Sequence, residues 1–182
     1  MNADQRLARL IAAEASSTEP DFLFFWGHRP QRDGNVGKGC LSQWWPCSFS
    51  VDGTIYPSAE HWMMAAKARL FKDEQGRSAI LAASSPGGAK AAGRKVQGFD
   101  EQMWERARFD LVVAGNMAKF TQNHDLRAFL MATGSKVLVE ASPRDRIWGI
   151  GIAAGHEDAV RPSRWRGPNL LGFALMEVRD QL

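Results

Sequence analysis

Two carboxylates and one amine stand out by type and spacing. Glu60 and Lys67 lie seven residues apart in YPSAEHWMMAAKARLF, Tyr56 to Phe71. At 3.6 residues per turn they return to one helical face, with Met63 and Met64 between them. Ser58 reads as the cap of this helix. Three residues further on, where a capping box wants Glu or Gln, stands His61, so Glu60 comes one place early and has no capping duty. The positive end of a helix favours an ionised carboxylate in the first turn, which suits a base, a nucleophile or a stabiliser of developing positive charge. First-turn acids are also common for the dipole alone. Asp145 lies in ASPRDRIWGIG, with Trp148 three residues later and then Gly149 and Gly151, which let a backbone approach a ligand closely. Turn chemistry explains Pro143 and Asp145 equally well.

Other catalytic systems fit the chain less well. There is no G-x-S-x-G elbow and no H-E-x-x-H, and His28, His61, His124 and His156 show no ligand spacing. Cys40 and Cys47 are the only cysteines and cannot complete a metal quartet, so they read as reduced thiols. No metal and no cofactor are expected. What remains is carboxylate chemistry. Cleavage at an anomeric carbon passes through an oxocarbenium-like cation, which a fixed carboxylate stabilises most when water is excluded.

Seven Trp stand against one Tyr. Several lie beside Gly, Pro or charge, as in WGHRP (Trp26), QWWPC (Trp44, Trp45), DRIWGIG (Trp148) and RWRGPN (Trp165). Flat indoles in loops suit a planar base, although Trp also builds ordinary cores. The loop HRPQRDGNVGKGC carries Gly34, Gly37 and Gly39. Their order is not the dinucleotide-binding one, and no strand and helix flank them as in a βαβ unit. With Arg29, Arg32 and Lys38 nearby the loop is either an anion nest for phosphate or a plain flexible connection.

These groups need a scaffold, and the rest of the chain describes one. With 182 residues it is long enough for one sizeable core without disulfides. A single domain over residues 21–182 is expected, preceded by an N-terminal helical extension over residues 1–20 with Leu7, Leu10 and Ile11 on one face. That segment has no uninterrupted apolar core, so no signal peptide or membrane span is expected and the cytoplasm follows by default. A net charge of +3 from 23 basic and 20 acidic residues is too balanced for a nucleic-acid binder, and it tolerates a small anionic ligand.

DFLFFWG (21–27) and KVLVEAS (136–142) read as strands, and CSFSVDGTIYP as a hairpin turning at Asp52-Gly53. Helices are expected from Ser58 to about Phe71, in KDEQGRSAILAAS, and in SSPGGAKAAGRKV with Ser85 as cap and Pro86 at the first position. DEQMWERARFDLVVAGNMAKF, capped by Asp100, is the longest, with Met103 or Trp104, Ala107, Leu111, Ala114 and Ala118 on one side. HDLRAFLMATG, closed by Gly134, and NLLGFALMEVRDQL complete the set. The fold class is mainly α with a small β-sheet (α+β), which excludes a regular βαβ array.

The order of these motifs resembles a known family, the YbiA or NADAR (NAD and ADP-ribose associated) domains. The resemblance rests on DG-x-x-YPSAEHWMMAAKA (52–68), SSPGGAKAAGRKV (84–96), W-x-x-x-R (104–108), AKF-x-QN (118–123), LVEAS-x-x-D-x-x-WGIG (138–151) and G-x-NLLG-x-x-LM-x-VR (167–179). It implies a compact, mainly helical N-glycosidase. The implied substrates are a riboflavin-pathway ribosylaminopyrimidine phosphate or ADP-ribosylated guanine. Glu60 and Asp145 become the acidic pair, converging in one indole-walled cleft, with Lys67 facing the ligand.

Trp104, Trp148, Trp26 and Asn169 are then expected on the substrate, and Gly37, Lys38, Gly39 and Arg29 on its phosphate. The expected partner is a small nucleotide-like molecule or an ADP-ribosylated nucleobase. The chain departs from some relatives at Ser42-Gln43-Trp44, where they have Ser-Asn-Phe, at Ile150 and at Pro168. The alternative is a non-catalytic ADP-ribose or NAD-binding module. An RNA or DNA module would need strongly salt-dependent binding, which the balanced charge disfavours.

Overall fold

The structure is a computed structural model that describes residues 2–16, 20–31 and 34–182. Arg32, named above beside the glycine loop, and Met1 and residues 17–19 of the N-terminal extension lie outside the described residues. The chain divides into two compact units, the first formed by Met1–Ser42 and Ala128–Leu182, the second by Gln43–Arg127.

In the first unit, β1 (Phe22–Phe25) pairs in parallel with β4 (Val137–Glu140), in register from Phe22 opposite Val137 to Phe25 opposite Glu140. A parallel pair needs a long crossover, and residues 26–136 supply it. One face of this ribbon is closed by Val137, Val139, Ala141, Ile150, Ile152 and Ala159, with Phe22, Phe24, Leu10 and Trp165 packed against them. Helix α7 (Leu170–Gln181) begins so close to β4 that a Cβ on Gly172 would come within 2.1 Å of the Leu138 carbonyl oxygen.

Helix α1 (Ala3–Ala15) starts in a full capping box. The Asn2 side chain accepts from the Gln5 amide, and the Gln5 side chain reaches back to the Asn2 amide. Buried Arg6 donates to Glu177 at 2.6 Å and to Asp180 at 3.1 Å, clipping α1 to α7. The same guanidinium holds the Glu177 carboxyl below the usual range.

The second unit begins with the hairpin β2 (Phe49–Val51) and β3 (Thr54–Tyr56). Its two-residue loop is Asp52-Gly53, both at positive φ (50° and 75°), the conformation that a type I′ turn requires. Helices α2 (Ala59–Leu70), α3 (Glu74–Leu81), α4 (Pro86–Gly93) and α5 (Glu101–Gln122) follow, capped by Ser58, Asp73, Ser85 and Asp100. Helix α6 (His124–Ala132) carries the chain back across the boundary to Gly134 at φ 56°.

The long helix α5 buries a different stripe from the expected one. Val112, Gly115, Asn116, Lys119 and Phe120 are inside, whereas Ala114 is exposed and Ala107, Leu111 and Ala118 are half-buried. Polar Asn116 and Lys119 hide this stripe from a reading based on hydrophobicity. Gly115 explains it: a Cβ there would lie 2.0 Å from the Trp62 ring, so only glycine lets α5 press onto α2 at this point. The Trp62 indole N–H then reaches the Leu111 carbonyl at 2.7 Å.

Candidate active site

Glu60 enters its position through the start of α2. Ser58 caps the helix by accepting from the His61 amide. The imidazole of His61 fills the place of a capping-box side chain: its Nδ1 lies 2.8 Å from Ser58 Oγ and its Nε2 3.0 Å from the Ala83 carbonyl. A carbonyl can only accept, so Nε2 carries a proton and donates it to Ala83. Glu60, with no share in the cap, is 2 % exposed in the first turn, and its own amide donates to the Gln43 carbonyl at 2.9 Å. A buried carboxylate at a helix N-terminus has a fixed direction and little bulk water around it, the two conditions for stabilising a cation.

Two turns further along α2, about 10 Å by helical rise, Lys67 occupies an aromatic nest within the same unit. Its Nζ donates to the Gly93 carbonyl at 3.0 Å and lies 4.2 Å above the Phe99 ring and 5.8 Å from the Trp104 ring. Burial lowers its pKa from the ordinary lysine value. Phe99 is exposed and Trp104 half-buried. The nest is therefore open on the aromatic side, where a sugar or base has faces to lie against. Phe99 is a member that the residue types alone did not single out.

The other expected residues belong to the first unit. Asp145 is half-buried in a turn after β4, and its Oδ1 accepts from the amides of Ile147 (2.9 Å) and Trp148 (2.8 Å). One carboxylate oxygen thus does turn chemistry and holds the backbone at Trp148. The glycines after it serve the chain's own packing. A Cβ on Gly149 would meet the Glu140 carbonyl at 2.6 Å, and one on Gly151 would meet Arg146 and Arg166 at 3.0 Å.

The same holds in the glycine loop, where a 3₁₀ turn covers Lys38–Leu41. A Cβ on Gly37 would strike the Gln31 side chain at 2.5 Å, and one on Gly39 the Arg29 carbonyl at 2.4 Å. The close approach that these glycines allow is to residues 29–31. Arg29 and Lys38 are exposed, as is Trp26 at the end of β1.

Asn169 is fully buried at φ 55°. Its Oδ1 accepts from the Glu140 amide at 3.0 Å and its Nδ2 donates to the Leu138 carbonyl at 2.9 Å. Its amide therefore ties β4 to the start of α7, where the Leu171 amide donates to the Trp148 carbonyl at 3.0 Å. Asn169→Ala removes both bonds and leaves Ala in a left-handed conformation. It is expected to cost about 3 kcal/mol, read as a fall in the urea midpoint.

Among the described residues no group of three or more His, Cys, Asp or Glu is placed to hold a metal ion. Likewise, no helix is long and apolar enough to cross a membrane.

The mainly helical α+β fold is YbiA-like. The solved NMR structure of Escherichia coli YbiA superposes with a TM-score of 0.71 at 30% identity, covering 90% of this chain and 85% of that one. The NADAR domain model matches residues 24–182, and the chain belongs to the NADAR domain family. It is similar to N-glycosidase R617 of Acanthamoeba polyphaga mimivirus, at 40% identity over 88% of this chain and 95% of that protein. It is also similar to N-glycosidase YbiA of Escherichia coli K12, at 38% identity over 76% of each.

Proposed function

We propose that this NADAR-family N-glycosidase acts on a base carrying ribose 5-phosphate or ADP-ribose. In this reading it breaks the bond between C1 of the sugar and a nitrogen of the base. The observation that carries the reading is the pairing, on one helix, of a buried carboxylate with an amine whose pKa burial has lowered. As the C1–N bond breaks, its electron pair leaves with the base, and positive charge spreads over C1 and the ring oxygen. Glu60 stabilises that charge or directs the water whose oxygen adds to C1. One proton of the water ends on the departing nitrogen, and Asp145 is the group proposed to move it. Trp104 and Trp148 stack on the planar parts of the substrate.

Two roles for Lys67 follow from its position. In one, the ammonium binds sugar hydroxyls. In the other, the neutral amine adds to C1 of the ring-opened sugar, the base leaves with a proton, and water hydrolyses the resulting imine. A lysine whose ammonium is desolvated among aromatic rings is suited to the second.

Arg29 and Lys38, both exposed and charged, are proposed to meet the phosphate. Charge reversal at Lys38 (Lys38→Glu) is expected to raise KM about tenfold with kcat nearly unchanged, measured as initial rates over a substrate series. An unchanged KM places the phosphate elsewhere.

The deciding experiment incubates the protein separately with ADP-ribosylated guanosine and with a ribosylaminopyrimidine phosphate, and separates the products by chromatography. Release of free base from one of them identifies the substrate class. Binding of either without release favours a non-catalytic ADP-ribose or NAD-binding module in its place.

A further inference from the structure

Gln43 and Asn116 take no part in the chemistry above, yet both are buried amides, 5 % and 0 % exposed, in the unit that holds Glu60. They connect to it through the side chain and then the backbone of Gln43. Asn116 Nδ2 donates to the Val112 carbonyl of its own helix at 2.9 Å and to Gln43 Oε1 at 2.9 Å. The backbone carbonyl of Gln43, not its side chain, receives the Glu60 amide at 2.9 Å. The amide of a first-turn residue has no partner inside its own helix, so this bond fixes where α2 begins. It also fixes where the Glu60 side chain departs from the backbone.

The α5 end of this connection is rigid for an independent reason. Gly115, the neighbour of Asn116, is where α5 presses onto Trp62 of α2, and Trp62 is locked by its bond to Leu111. Asn116 therefore stands on a helix that cannot shift against α2 without breaking that packing. The bonds themselves are ordinary, but their cost is unusual. Gln43 Nε2 and Asn116 Oδ1 are buried with no hydrogen-bond partner among the described residues. Leaving such groups unmatched is unfavourable, so two apolar side chains would make a cheaper core here. Polar groups kept at that cost fit a task of direction rather than stability.

We propose that the Asn116–Gln43 pair is a positioning brace that holds the Glu60 carboxylate in its working direction. The inference rests on the reading that Glu60 is catalytic, and the test separates the two. In the full chain, Asn116→Leu removes the donor at similar volume, and Gln43→Met removes the acceptor from the other side. A brace predicts that each lowers kcat about 10- to 100-fold while KM stays within about threefold, since small misplacement of a catalytic group is costly. It also predicts that neither substitution lowers the residual kcat of Glu60→Gln further.

A merely structural role would lower the thermal midpoint and the active fraction, and its effect would multiply with that of Glu60→Gln. Three outcomes overturn the brace: kcat unchanged in a folded variant, loss confined to KM, or the same fold-loss on the Glu60→Gln background. Full turnover by Glu60→Gln itself would instead overturn the catalytic reading of Glu60. If Asn116→Leu fails to fold, Gln43→Met and the smaller Asn116→Ser give the same comparison.

Discussion

Glu60→Gln is expected to lower kcat by about three decades while the thermal midpoint stays nearly unchanged. Gln has the shape of Glu, keeps the helix start and can still accept a hydrogen bond, so the Ser58–His61 cap and the bond from the residue 60 amide to Gln43 survive. What disappears is the negative charge that the catalytic reading of Glu60 requires, at a site that is 2 % exposed. In water such a charge would be worth little to a cation several ångströms away. Inside a protein the same charge acts through a much lower dielectric. The loss therefore falls on the transition state, where the cation exists, and little on substrate binding. Measurement of kcat and KM for the substrate found above, beside a thermal melt, gives the result. Unaltered turnover removes Glu60 from the mechanism, and a collapsed melt makes its role structural.

The second large effect is expected at Lys67. Lys67→Met keeps the aliphatic stem beside Phe99 and Trp104 and removes the amine, and is expected to lower kcat at least about 100-fold if the amine attacks C1. Borohydride added during turnover should then leave a sugar-sized mass increment on the wild-type peptide containing residue 67 and none on Lys67→Met. Lys67→Arg separates the two roles. A guanidinium can still bind hydroxyls but cannot become a neutral nucleophile, so appreciable activity in that variant, with no trapped adduct in wild type, assigns Lys67 to binding.

The pH dependence has a definite sign. Burial lowers the Lys67 pKa, so the folded state binds less proton at this site than the unfolded chain, whose lysine keeps its ordinary value. Stability gains from this group as pH rises through the window between the lowered folded value and the unfolded one. The penalty is complete below the folded value. A nucleophilic role makes kcat rise with pH through the folded value, below the range of an ordinary lysine. A binding role makes it fall there.

Much of this molecule is written locally. Caps at Ser58, Asp73, Ser85 and Asp100, the Asp52-Gly53 turn and the left-handed Gly134 are properties of a few adjacent residues, so helix starts and the hairpin are legible from residue type and spacing. So is the oddity of Glu60, because the cap that would explain it is accounted for by its neighbours. The order of motifs along the chain carries the family.

Tertiary structure decided what depends on residues far apart. Parallel pairing of β1 with β4 joins segments separated by residues 26–136, and no local pattern specifies such a partner. The buried stripe of α5 follows Gly115 and Trp62, a contact between helices, so Asn116 and Lys119 turn inward although their types belong outside. Asn169 is committed to β4 by bonds to Leu138 and Glu140, and Gly37 and Gly39 to residues 29–31. In each case the residue type states a capacity, a hydrogen bond or a close approach, and only the three-dimensional neighbour decides how it is used.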